Sequence, residues 1–191
     1  MNTNALKAKY QNKKITYEEA EQILYDFERN ERFEVFIALY EATLKNDLNI
    51  SFRVFKEAYC SSDNIFEQIK NSKTEFNLKA FLNFVKSSGI DFISLMTYDE
   101  KKCFDDLPNK FKIYRGISQN EHETKDYGVS WSLSDDMAKN YVYFKKNKVE
   151  KDKGALIDIT VEKDNILTVF SVHGELEIIY IYKINPLSKS T

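Results

Sequence analysis

Near the end of the chain, Gly174-Glu175-Leu176-Glu177 places two carboxylates two residues apart, directly ahead of the apolar run Ile178-Ile179-Tyr180-Ile181-Tyr182. On a strand, positions i and i+2 share a face, so both carboxylates point the same way. Like charges side by side repel, and an apolar border adds a desolvation cost. Folding gains nothing from that arrangement, although a solvated strand mouth would tolerate it. The pair therefore merits a functional reading beside the structural one. Two further segments carry polar groups at strand positions. Tyr114-Arg115-Gly116 presents a planar guanidinium suited to phosphate, beside a glycine that lets backbone come close to a ligand. In Gly128-Val129-Ser130-Trp131-Ser132, alternation puts both hydroxyls on one face and Trp131 on the other, under the sheet. Each segment alone also reads as ordinary structure, namely a surface arginine and a half-exposed strand.

Taken together and in this order, Tyr114-Arg115-Gly116, Ser130-Trp131-Ser132 and Glu175-Leu176-Glu177 resemble the arginine, serine-x-serine and glutamate-x-glutamate signature of the toxin-like mono-ADP-ribosyltransferases. The resemblance spans about residues 111–184. It departs from the family at Trp131, which stands where threonine is usual, and the stretch from Arg115 to Glu177 is short. The resemblance implies a compact catalytic core that cleaves NAD at the nicotinamide–ribose bond and passes ADP-ribose to a macromolecular acceptor. NAD is then a substrate, and no metal is required. Glu177 would be the catalytic carboxylate on the ribose 2′-hydroxyl, and Glu175 the base that orients the acceptor, with a tilt toward protein arginine. Arg115 would hold the diphosphate, Gly116 the carboxamide, Ser130 and Ser132 the ribose or Glu177, and Tyr141 or Phe144 the nicotinamide ring. A bacterial effector, toxin or phage protein acting on a protein target is the setting that the resemblance implies. An NAD glycohydrolase would share every one of these residues, and a non-catalytic interaction module could share the fold.

The elements that must position these residues change character near Pro108. Before it, apolar residues recur at helical spacing. Thr16-x-x-Glu19 forms a capping box ahead of Ala20, Ile23, Leu24 and Phe27, and Phe33, Phe36, Ile37, Tyr40 and Leu44 repeat the stripe. Shorter helices are expected over 52–59 and 65–69, and a further stripe through Leu78, Phe81, Leu82 and Val85 has Gly89 to end it. Phe92–Met96 fits a helix end or a strand. Aromatic stripes of this kind are far more often core than ligand groove. After Pro108, strand patterns take over at 111–114, 127–132, 155–161, 166–172 and 175–184, with one helix starting at Asp135-Asp136. Helices first and strands later predict an α+β protein, with a helical N-terminal bundle over 1–107 and a mixed, mainly antiparallel core over 108–191.

The bulk composition sets outer limits. The 191 residues are 42% hydrophobic and 30% charged with a formal net charge of -2, so no basic footprint calls for nucleic acid, though Lys145, Lys146, Lys148, Lys151 and Lys153 leave room for a local patch. That patch is interrupted by Glu150 and Asp152 and reads first as a solvated loop. Cys60 and Cys103 are far apart, and His122 and His173 lack ligand spacing, so no metal site is expected. No secretory leader and no membrane-spanning run is visible. The expected location is cytoplasmic, or a host cell reached by delivery.

Overall fold

The computed structural model describes residues 3–146, 154–172 and 175–182, with the backbone alone at 142–146, 171–172 and 175. The chain divides into two compact units, Met1–Ile90 and Asp91–Thr191.

The first unit is helical: α1 (Thr3–Tyr10), α2 (Tyr17–Tyr25), α3 (Arg32–Ala42), α4 (Leu48–Ser61), α5 (Ile65–Asn71) and α6 (Leu78–Ser87). Helix α2 starts at the Thr16–Glu19 capping box, with both reciprocal bonds formed. Helix α3 is apolar on nearly every side, and Phe33, Val35, Phe36, Ile37 and Leu39 have no exposure at all. A helix of that kind belongs at the centre of a packed unit, and α1, α2, α4 and α5 pack around it. Phe36 meets Phe33, Phe55, Phe76 and Phe81 with ring centroids 5.5 to 5.9 Å apart, mostly edge to face. Each buried phenylalanine contributes about 1.5–3 kcal/mol of transfer free energy. Glu31 gives α3 no side-chain cap. Gln68, 2% exposed on α5, caps it instead: its carbonyl accepts from the Phe33 amide at 2.7 Å and from Glu34 at 3.3 Å. The Gln68 amide group in turn donates to the Arg29 and Asp63 carbonyls.

The second unit is mixed. It holds α7 (Tyr98–Asp106), β1 (Lys110–Ile117), α8 (Gln119–Thr124), β2 (Ser130–Ser132), α9 (Asp135–Lys146), β3 (Ala155–Glu162), β4 (Thr168–Val172) and β5 (Glu175–Ile179). The described strands form one antiparallel sheet in the order β3-β1-β2-β5-β4. The chain is thus α+β, with an open antiparallel sheet. One sheet face is apolar: Ile113, Ile117, Trp131, Val161, Val169 and Ile178 form a buried core with Phe104 of α7.

The unit boundary falls at Ile90, not near Pro108, and so places α7 with the sheet. Helix α7 packs on β4, opens with a Thr97–Glu100 capping box and buries only Glu100 and Phe104. It has no apolar stripe to announce it. Pro108 marks the start of the first strand, where the hydrophobic period changes. Phe92–Met96 resolves into neither a helix end nor a strand but a 3-10 turn over Ile93–Leu95. Gly89 does follow α6, with a φ of 76° that favours glycine.

Candidate functional site

The three polar segments lie on β1, β2 and β5, three adjacent strands at the middle of the sheet. Ser132 is opposite Tyr114 on one side and Glu177 on the other, and Ser130 is opposite Ile179. Directly opposed residues share a face, with Cβ atoms about 4.5–5.5 Å apart. Tyr114, Ser132, Glu177 and Phe170 therefore form one row across four strands. Ser130, Ser132 and Glu177 are all half-buried. Trp131 faces the opposite side, 1% exposed, against Ile178 and the rings of Tyr127 and Tyr180. Glu175 is opposite Val172 and belongs, by strand alternation, to the same face as Glu177. Its side chain lies outside the described residues, as do His173 and Gly174.

The Ser132 hydroxyl accepts from the Ser134 amide at 2.9 Å, and the Ser134 hydroxyl accepts from Met137 at 3.3 Å. These bonds turn the chain from β2 into α9, and the Ser132 O–H remains a donor. The Ser130 hydroxyl has no hydrogen-bond partner among the described residues. Tyr141 on α9 is 58% exposed. The Phe144 side chain and the lysine side chains from Lys145 to Lys153 lie outside the described residues.

Arg115 behaves differently. Strand alternation puts it on the Trp131 side, between Ile113 and Ile117, so it does not share the Ser132–Glu177 face. Its guanidinium wraps the beginning of β2. Nη1 donates to the Ser130 carbonyl at 2.7 Å, while Nε and Nη2 donate to one oxygen of Glu121 at 3.2 and 2.7 Å. Both side chains are 15% exposed. Among the described residues three of the five guanidinium N–H groups are used, which leaves one on each terminal nitrogen for a ligand.

Glu121 is the residue that sequence reasoning missed. It belongs to α8, whose Ser118-x-x-Glu121 capping box is complete. One Glu121 oxygen accepts from the Ser118 amide and hydroxyl at 3.0 and 3.2 Å. The other takes Arg115 and the Gly128 amide, the latter at 3.1 Å. Burial pushes the Glu121 carboxyl up, but the Ser118 amide, the Arg115 guanidinium and the Gly128 amide together hold it down at about 2. The capping-box pattern was the available signal for Glu121, and it foretells the helix start without the ion pair. Gly128 is part of the same cluster. A β-carbon there would overlap Nη2 of Arg115 and stand 2.7 Å from its Cζ.

The arrangement therefore offers, on one face, a carboxylate, two serine hydroxyls and a tyrosine, beside the fully buried Phe170 and Ile179. At the start of the serine strand it adds a charge-compensated guanidinium with two N–H groups to spare. Among the described residues, no three of His, Cys, Asp and Glu stand close enough to share a metal ion, and no helix is long and apolar enough to cross a membrane. Comparisons of the chain with protein-family models, with curated proteins and with solved structures return no match.

Proposed function

We propose that the chain is a mono-ADP-ribosyltransferase that uses NAD as donor and a protein as acceptor. The observation that carries this reading is the convergence of three sequence-distant segments on adjacent strands, with Ser132 and Glu177 directly opposed in one row. Only a folded sheet with the β1-β2-β5 order makes neighbours of positions 114, 132 and 177.

In this reading the bond between ribose C1′ and the nicotinamide nitrogen breaks, and its electron pair leaves with nicotinamide. The leaving group is neutral and needs no acid. The ribose becomes an oxocarbenium ion, as in glycoside cleavage. Glu177 accepts a hydrogen bond from the 2′-hydroxyl and places its negative charge next to the developing positive charge. Ser132 and Ser130 hold the ribose edge, and the Gly116 backbone meets the carboxamide. Arg115 supplies its two remaining N–H groups to the diphosphate at the start of β2. Tyr141 or Phe144 covers the nicotinamide ring. The acceptor nucleophile then bonds to C1′ as Glu175 removes its proton.

The test is incubation of the purified chain with labelled NAD and a cell lysate, alongside Glu177→Gln. Transfer predicts a labelled protein band in the wild type. The band should fall by a factor on the order of 100–1000 in the variant, because a preorganised charge at the transition state is lost. Free ADP-ribose without a labelled band would make water the acceptor, and the enzyme an NAD glycohydrolase. No NAD consumption would overturn the enzymatic reading in favour of a binding module. Equal turnover by the variant would remove Glu177 from the mechanism.

A further inference from the structure

The joint between β1 and β2 is the narrowest in the sheet. Strands β1 and β3 are in register along their whole length, from Lys110 opposite Glu162 to Ile117 opposite Ala155. Strands β1 and β2 share a single registered pair, Tyr114 with Ser132. Beyond it, toward the start of β2, the connection passes through side chains. Arg115 reaches the Ser130 carbonyl, and Glu121 reaches the Gly128 amide. The two side chains close on each other at 2.7 Å, so β1, α8 and the beginning of β2 are tied by one ion pair. The pair is mostly buried, and Glu121 is fixed in turn by the Ser118 amide and hydroxyl. A charge-assisted bond held this way keeps a defined geometry better than an exposed pair does. The space for it exists only because residue 128 has no side chain.

We propose that Glu121 is a positioning residue acting through Arg115: it holds the guanidinium in the notch at Gly128, against Ser130, and so sets where a dinucleotide's phosphates meet the serine strand. This rests on the reading of the site as one that binds NAD. Glu121 touches no substrate in this role. Its carboxylate also compensates the Arg115 charge, so the guanidinium recognises phosphate by direction more than by net charge. Removal of that carboxylate leaves Arg115 on the Ser130 carbonyl alone. Addition of a methyl group at residue 128 displaces the guanidinium, the mobile end of a flexible side chain, at the expense of its bonds.

The experiment compares wild type with Glu121→Gln, Gly128→Ala and the double variant. It measures KM and kcat for NAD together with the NMR signal of the Arg115 side-chain Nε–H. Each single variant should raise KM about tenfold, as expected for a weakened charged hydrogen bond, with kcat changed only a few-fold. The double variant should be no worse than the weaker-binding single variant, because both act through one guanidinium. The Nε–H signal should be slow to exchange in the wild type and lost or averaged in both singles. Glu121→Asp, which restores charge without full reach, should recover part of the KM loss relative to Glu121→Gln. An unchanged KM in a folded Glu121→Gln, or single effects that multiply in the double variant, would overturn the proposal. So would a freely exchanging Nε–H in the wild type. If the wild type does not turn over NAD while the signal behaves as described, the catalytic reading fails and the anchoring of Arg115 stands.

Discussion

Neutralising Glu121 should cost the second unit stability in a way that depends on pH, with a sign that follows from the bonds its carboxylate accepts. The folded protein holds this carboxyl at about 2 rather than at its ordinary 4.5. A group whose folded pKa is depressed stabilises fully above its unfolded pKa and loses that contribution as pH falls through the folded one. At about 1.36 kcal/mol per pH unit, the difference corresponds to about 3 kcal/mol at neutral pH. By pH 3 only about 1 kcal/mol of it remains, since the unfolded chain has by then taken up the proton and the folded one has not. Glu121→Gln removes the titrating group while nearly keeping its shape. Trp131 is the sole tryptophan of the chain and is buried in this sheet, so its fluorescence reports unfolding of the second unit. Urea unfolding of wild type and variant at pH 7 and pH 3 should show a gap of about 3 kcal/mol that narrows to about 1 kcal/mol. Titrations common to both proteins cancel in the difference. A gap of the same size at both pH values would refute the argument, because it would mean that Glu121 contributes by shape or packing and not by charge.

Three other outcomes are expected. Arg115→Ala should raise the KM for NAD by about 10- to 100-fold with a smaller change in kcat, since charged hydrogen bonds contribute about 1.5–3 kcal/mol and a phosphate is bound in ground and transition states alike. Steady-state kinetics check this, and an equal fall in kcat and kcat/KM would contradict it. Phe36→Ala should destabilise the helical unit by about 3–5 kcal/mol, because the ring is fully buried among five others. Urea unfolding followed by circular dichroism measures this. Gly89→Ala meets open space but a φ of 76°, so it should cost about 1 kcal/mol through backbone strain alone. A neutral result in thermal unfolding would show that the turn after α6 readjusts.

Local chemistry made much of the fold legible. The Thr16–Glu19 box, the stripes of α3 and α6, the stop at Gly89 and the alternation in β1 and β3 depend on residues within a turn or two of one another. Trp131 under the sheet followed from strand alternation. Features that depend on distant partners were not legible. The buried Gln68 caps α3 from more than thirty residues away, and no pattern in either segment announces the other. Helix α7 is too polar to show a stripe, so the change of period at Pro108 is the strongest change of character that the sequence shows. Strand order is likewise invisible from the segments themselves, and with it the direct opposition of Ser132 and Glu177. The motif order placed Arg115 with these two, whereas alternation along β1 sends it to the other side. Only the length of its side chain and the bare backbone at Gly128 bring its guanidinium to the start of β2.

The brevity of β2 bears on how the sheet opens. On one side of it stands the long β1–β3 ladder, on the other the β4–β5 ladder. Between them, Ser130–Ser132 offers few amides to share. In hydrogen–deuterium exchange, the two ladders should protect their amides deeply, while the seam exchanges through small sub-global openings. The two ladders then act as separate cooperative blocks. Arg115, assigned to the phosphates, and Glu177, assigned to the ribose, lie in different blocks, and a ligand that bridges them would slow exchange at the seam more than anywhere else.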